Sequence, residues 1–212
     1  MNKNEKFVIT INRELGSGGR TVGRLLAEKL GVPYYDKALV KALQEEYNLT
    51  VEEIEKLKGR KHNWWADVER IFKLGPGMSS NYYIPQKSDY PDLLTTDEMF
   101  KTETLILQHL AVEKSCVVAG RSGFHVFRAH PNHLSILIQA SMPFRVARLV
   151  NKHQKTEKEA RQIIAAVDEA RENYVKEFTK TSRYDTRNYQ LVISADDKTE
   201  DEIVDLIIKY IG

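Results

Sequence analysis

Cysteine occurs once in the 212 residues, at Cys116, so no disulfide can close within the chain and a cystine-stapled secreted fold is excluded. Long apolar runs are missing too: none reaches the roughly 20 residues needed to span a bilayer. The opening MNKNEKFVIT has no apolar stretch of signal-peptide length, and a cytoplasmic protein is expected. Neither sign of charge prevails, because 32 Lys and Arg face 30 Asp and Glu for a formal net charge of +2. The molecule therefore has no general field to draw it onto nucleic acid or an anionic membrane, and neither is expected as a partner. Any basic site has to be local. The six histidines show no metal-ligand spacing; HPNH at 130–133 falls in a loop, and no metal site is assigned to it. Internal repeats and low-complexity tracts are absent as well.

What is present is enough apolar material, 42% of residues, for one sizeable core, and a single domain over 1–212 is expected. Short β-branched runs without alternation at Phe7–Ile11, Val32–Tyr35, Cys116–Ala119, Leu134–Ile138 and Leu191–Ile193 read as strands buried on both faces. Helical spacing fills the intervals. Val22, Leu25, Leu26 and Leu30 repeat at that spacing, closed by Gly31 and Pro33, and further helices are predicted near 37–47, 50–73, 96–114, 143–151, 156–178 and 199–211. Thr50 with Glu53 and Thr156 with Glu159 have capping-box spacing. The alternation predicts an α/β fold with a doubly wound parallel sheet. Two segments exceed a minimal sheet. Residues 36–100 contain two predicted helices and the long loop LGPGMSSNYYIPQKSDYPDLL, and 145–187 form a charged helical stretch. Trp64, Trp65, Ile71 and Phe72 are expected to pack the first segment or an interface between copies, so a homo-oligomer is left open. Cys116, inside an apolar strand, reads as core rather than as a nucleophile.

The glycine-rich turn INRELGSGGRTVG, from Ile11, joins the first strand to the first helix, the setting in which such a loop binds phosphate. Gly16, Gly18 and Gly19 let the backbone adopt positive φ and turn N–H groups inward. Against the pattern G-x-x-x-x-G-K-[ST], Arg13 takes the first glycine's place and Gly19 the lysine's, with Arg20 and Thr21 following. Arg20 is the expected stand-in for the lysine, its fork able to hold two phosphate oxygens. Thr21 offers its hydroxyl to Mg²⁺, and Ser17 completes the loop. The usual acidic residue at a neighbouring strand end, which holds Mg²⁺ through water, is missing from CVVAGRS.

ITINRELGSGGRTVGRLLAEKLGVPYYDKALV resembles the opening of the cytidylate kinase-like proteins, a branch of the P-loop nucleoside monophosphate kinases. VVAGRSGFHVFRAHPNHLSILIQASMPFRVARLV is similar to their third- and fourth-strand region, DEARENY to their lid, and RNYQLVISAD to their last strand. The resemblance implies a five-stranded parallel sheet with a helical substrate-binding insertion, here 36–100, and a mobile lid, here 145–187. It implies transfer of the γ-phosphoryl group of ATP, with Mg²⁺, to a small-molecule acceptor such as a (deoxy)cytidylate or other nucleoside monophosphate. This chain departs from the family in having Gly19 for the loop lysine and Ser122 for an Asp expected near the substrate ring. A catalytically degenerate nucleotide sensor and a kinase of a non-nucleotide acceptor are therefore the competing readings.

Among site residues, the resemblance assigns Arg121 to the acceptor's phosphate and puts Ser122 at the substrate, in the place of the ring-contacting Asp; Arg121 also follows a strand at the sheet's carboxyl edge, where ligands bind. It assigns Arg145, Arg148, Asp168 and Arg171 to the lid, while each i, i+3 pair equally braces an exposed helix. Asp36 and Lys37 head the insertion as acceptor contacts, with Asp36 alternatively a helix N-cap. Arg13 is a substrate-contact candidate, although with Glu14 it equally fits a salt bridge that shapes the loop.

Overall fold

The computed structural model describes residues 1–37, Val40 and 97–212. The helices expected at 37–47 and 50–73, the Thr50–Glu53 box, the two tryptophans and the long tyrosine-containing loop lie outside the described residues, apart from Lys37 and Val40. Five strands form an all-parallel sheet in the order β2-β3-β1-β4-β5. They are β1 (Val8–Arg13), β2 (Tyr34–Tyr35), β3 (Cys116–Ala119), β4 (His133–Gln139) and β5 (Leu191–Ser194). Among the described residues the helices are α1 (Gly19–Leu30), α2 (Asp97–Glu113), α3 (Gly123–Val126), α4 (Met142–His153), α5 (Glu157–Thr179) and α6 (Glu200–Ile211), with a 3₁₀ turn at Thr186–Asn188.

β1 lies at the centre because it is apolar on both faces: Val8, Ile9 and Ile11 are fully buried. Ile9 and Ile11 face a cluster with Val22 and Leu26 of α1 and Ile203, Val204 and Ile207 of α6. Val8 faces the opposite layer with Ile106, Leu107 and Leu110 of α2. Burial on both sides is why these strands show no polar alternation. Both ends of α1 are set by glycines. Gly18 starts the helix at φ 81°, and Gly31 ends it at φ 64°, its N–H reaching the Ala27 and Glu28 carbonyls, a left-handed close that glycine adopts without strain. Reciprocal capping boxes open α5 at Thr156–Glu159 and α6 at Thr199–Glu202. The first of these was expected and the second was not.

One polar pair is carried through the core. Thr10 Oγ1 lies 2.8 Å from Nε2 of His133, where burial, then His130, push the imidazole down to about 4. The neutral ring is thus the folded form. On unfolding it regains an ordinary value near 6.5, so above that pH it is neutral in both states and has no effect. Between about 6.5 and about 4 the unfolded chain takes up a proton that the folded chain refuses, and stability falls by about 3 kcal/mol over that window. Urea denaturation at pH 7 and at pH 4.5 checks this: His133→Gln is expected to flatten the difference, and an unchanged slope in that variant would assign the acid sensitivity elsewhere.

Candidate active site

Three pieces of backbone meet at the carboxyl edge of the sheet: the 13–21 turn after β1, the 120–122 turn after β3, and the facing sides of α4 and α5. The first turn has positive φ at Gly16 (85°) and Gly18 (81°), whereas Gly19, expected to share it, is the first helical residue of α1 and does not. A Cβ on Gly16 would come 3.0 Å from the Arg145 carbonyl oxygen. No side chain caps α1. Among the described residues no acceptor meets the N–H groups of Gly16, Gly18, Gly19 or Thr21. A row of unsatisfied N–H donors at a helix N-terminus is an anion cradle.

The turn is held from outside by ions. Asp168 of α5 accepts the Leu15 N–H at 3.1 Å through one carboxylate oxygen and pairs with Arg145 of α4 through the other. Arg145 also donates from Nε to the Leu15 carbonyl at 2.7 Å and lies 3.3 Å from Glu14. Glu14 in turn accepts the Ala140 N–H at 3.0 Å, and Ser17 donates its hydroxyl to the Glu14 carbonyl at 3.0 Å. Arg171 and Arg183 both donate to the Arg13 carbonyl. Arg183, 1% exposed, also reaches Asn12. The structure thus brings Arg145, Asp168 and Arg171 together around the loop, whereas Arg148 pairs with Glu200. That ion pair lies beside Gly18, where a Cβ would sit 3.3 Å from the Glu200 carboxylate.

Arg20 turns to the second strand's end, its Nε 3.0 Å and its Nη2 2.8 Å from one oxygen of Asp36. Tyr34 donates its hydroxyl to the Arg20 carbonyl at 3.4 Å, and burial, then the Asp36 charge, push that phenol up to about 12. The Val40 N–H reaches the Asp36 carbonyl at 3.0 Å, so a helical turn starts there, with Lys37 half-buried behind it. Thr21, also half-buried, is the single hydroxyl at the loop's helical end.

At the end of β3, Gly120, Arg121 and Ser122 follow one another at φ 79°, 53° and 51°. Two non-glycine residues in the left-handed region are strained, and such strain gathers at functional turns. The turn directs Arg121 into a buried pocket, where its Nη2 donates to Glu103 of α2 and, at 2.8 Å, to the Tyr174 hydroxyl of α5. The guanidinium also lies over the Tyr174 ring, 4.8 Å from its centroid. Burial opposes the charge, but Glu103 and Tyr174 outweigh it and leave the Arg121 pKa above its usual value. Tyr174 is itself raised, first by burial, so it stays protonated and donates to Glu103 at 3.3 Å. Ser122 is 4% exposed and its hydroxyl has no partner among the described residues.

Arg13 completes the site. Its side chain fills the gap between the two turns: a Cβ on Gly19 would come 2.6 Å from its Cβ, and one on Gly120 2.1 Å from its Nη1. Among the described residues its guanidinium makes no hydrogen bond and no ion pair. Burial lowers its pKa, against the pull of Tyr34 and Asp36.

Glu103, Tyr174 and Arg183 are the parts that sequence reasoning missed. Glu103 had a signal, since a carboxylate shares a helix face with Ile106, Leu107 and Leu110 and requires a buried cation there. Arg183, in an irregular stretch, had none. The residues present fit a polyphosphate: open N–H donors, glycines at 16 and 18 that let the turn pack closely on Arg145 and on the Arg148–Glu200 pair, and cations on both sides. For Mg²⁺ the fit rests on one hydroxyl, that of Thr21, with phosphate oxygens and water making up the rest, as is usual for this ion. Among the described residues no helix is long and apolar enough to cross a membrane.

Comparison with known proteins bears on the fold and on the family. An uncharacterized protein from Eubacterium ventriosum superposes with a TM-score of 0.69 at 21% identity, over 98% of each chain. Shikimate kinase from Bacteroides thetaiotaomicron superposes with a TM-score of 0.53 at 14% identity, over 97% of this chain and 98% of that one. A gluconokinase from Sinorhizobium meliloti gives 0.51 at 15% identity, over 94% and 88%. These likenesses show the fold. No curated protein matches the sequence significantly. The model of the cytidylate kinase-like family, however, matches residues 8–197. The chain therefore belongs to the cytidylate kinase-like family, and that membership, on a phosphate-loop kinase fold, supports a phosphotransferase of the kinase type.

Proposed function

We propose that the protein transfers a phosphoryl group from Mg·ATP to a nucleoside monophosphate, with a (deoxy)cytidylate the favoured acceptor. The observation that carries this reading is the row of open N–H donors at Gly16, Gly18, Gly19 and Thr21, at the same edge of the sheet as the left-handed turn of Arg121 and Ser122. Phosphoryl transfer asks a protein mainly to position and neutralise. ATP, when bound, would supply the transferable group, and Mg²⁺, for which Thr21 is the side chain that would hold it, would neutralise phosphate charge.

On the donor side, residues 16–21 cradle phosphate, and Thr21 offers its hydroxyl to the metal. On the acceptor side Arg121, which has to exchange Glu103 and Tyr174 for it, meets the acceptor phosphate, Ser122 lies beside the acceptor's ring, and Asp36, fixed by Arg20, accepts from the acceptor's ring or hydroxyl. Residues 36–100 form the acceptor-binding insertion. Residues 145–187 form the lid, in which Arg145 and Asp168 anchor the segment to the loop and Arg148 and Arg171 supply charge above it. Closing such a segment excludes water, which would otherwise take the phosphoryl group.

A second reading, a kinase of a non-nucleotide acceptor, is favoured by Ser122, which stands where an Asp is expected near a nucleobase. The test is ADP formation from Mg·ATP with each of CMP, dCMP, UMP, AMP and GMP, beside a sugar and shikimate-type panel and a control without acceptor. Turnover confined to one pyrimidine is the expected result. Turnover only with a polyol acid or sugar would replace the first reading by the second, and saturable ATP binding without any turnover would make the protein a sensor.

A further inference from the structure

We propose that Arg13 is the side-chain cation of the donor phosphate site, and that Gly19 is a glycine because Arg13 occupies the space a loop lysine would use. This rests on the kinase reading and names the residue that replaces the missing lysine. The exchange is reciprocal in sequence: glycine and lysine of the usual pattern become Arg13 and Gly19. It is reciprocal in space as well. A Cβ on Gly19 would stand 2.6 Å from the Arg13 Cβ and 3.1 Å from its Cγ, distances at which one of the two side chains has to leave. The far end of Arg13 has a matching vacancy on the opposite turn, since a Cβ on Gly120 would meet Nη1 at 2.1 Å. Gly120 also holds φ 79°, so two features of that position favour glycine.

Charge points the same way. Arg20 is held by Asp36, Arg121 by Glu103 and Tyr174, Arg145 by Glu14 and Asp168, and Arg148 by Glu200. Arg13 has neither hydrogen bond nor ion pair at its guanidinium among the described residues. An arginine held half-buried against two turns without a protein partner is partly desolvated, in line with its lowered pKa. Its backbone is accounted for, because Arg171 and Arg183 fix the Arg13 carbonyl. The side chain is thus aimed by a rigid strand end at the gap between the N–H cradle and the Arg121 turn, and its fork can take two phosphate oxygens at once.

Isothermal titration with Mg²⁺ and the imido analogue of ATP tests this, with inorganic tripolyphosphate as a second probe and thermal melting as a control on folding. Arg13→Ala is expected to weaken binding of the ATP analogue at least tenfold, and more than Arg20→Ala does. Gly19→Lys alone is expected to bind poorly, whereas Arg13→Gly with Gly19→Lys, which restores the usual glycine and lysine though Arg20 stays in the Ser/Thr place, is expected to return within about threefold of wild type. If Gly19→Lys alone fails to fold, Arg13→Ala and the double exchange still decide the matter. Wild-type affinity in Arg13→Ala, or a folded double variant no better than Arg13→Ala, would overturn the proposal. Binding of tripolyphosphate that depends on Arg13, without binding of the ATP analogue, would sustain the Arg13 site and remove ATP from the proposed function. Binding of neither probe by wild type would overturn both.

Discussion

Asp168→Ala is expected to destabilise the fold by about 3–5 kcal/mol, the usual loss when one partner of a buried ion pair is removed. Asp168 is 8% exposed and Arg145 5% exposed, so the guanidinium left behind has little water to turn to, and Glu14 at 3.3 Å is its remaining carboxylate. The Leu15 N–H loses its acceptor in the same change, which links the stability of α4 and α5 to the shape of the phosphate loop. Asp168→Asn separates the two effects, because the amide oxygen can still accept from Leu15 while the charge is gone. Urea denaturation of both variants is the measurement, with Asn expected to recover part of the loss. A cost below about 1 kcal/mol for Ala would mean that water reaches Arg145 and that the clamp contributes little.

Glu103→Ala is expected to cost about as much, about 3–5 kcal/mol, for the same physical reason at the other turn. The Arg121 side chain is 8% exposed and that of Glu103 5%, and losing the carboxylate leaves Tyr174 as the polar contact of the guanidinium. Around them Phe100 stacks on Phe178 at 4.5 Å and Tyr174 meets Phe178 edge-on at 5.1 Å, apolar surroundings that cannot solvate a charge. Replacing both ions, as Glu103→Ala with Arg121→Met, is expected to be milder than Glu103→Ala alone, since no orphaned charge remains. Thermal melting of the single and double variants checks this. A double variant as damaged as the single one would show that the pocket depends on packing at Glu103 rather than on its charge.

The sheet was legible because each strand carries a short apolar run bounded by helical spacing: Cys116–Ala119 was placed to the residue, and β1 and β4 within two. The loop was legible for a related reason, that glycines at 16 and 18 are where positive φ is required. Long-range polar pairing was not. Asp168 and Arg145 stand 23 residues apart, and Glu103 and Arg121 18 apart, and no local spacing joins such residues. The i, i+3 rule grouped Arg145 with Arg148 and Asp168 with Arg171, but tertiary packing sends Arg145 to Asp168 and Arg148 to Glu200. Arg13 was visible only as an exception to a pattern; what it displaces requires three dimensions.

The left-handed run after β3 has a thermodynamic consequence. Each non-glycine residue in that conformation costs about 1–2 kcal/mol, so Arg121 and Ser122 together withhold about 2–4 kcal/mol from a fold whose whole margin is of the order of 5–15 kcal/mol. That expense fixes where one guanidinium emerges from the sheet. At this edge the chain trades durability for aim, and the most stable version of the turn would not be the one that points Arg121 at Glu103 and Tyr174.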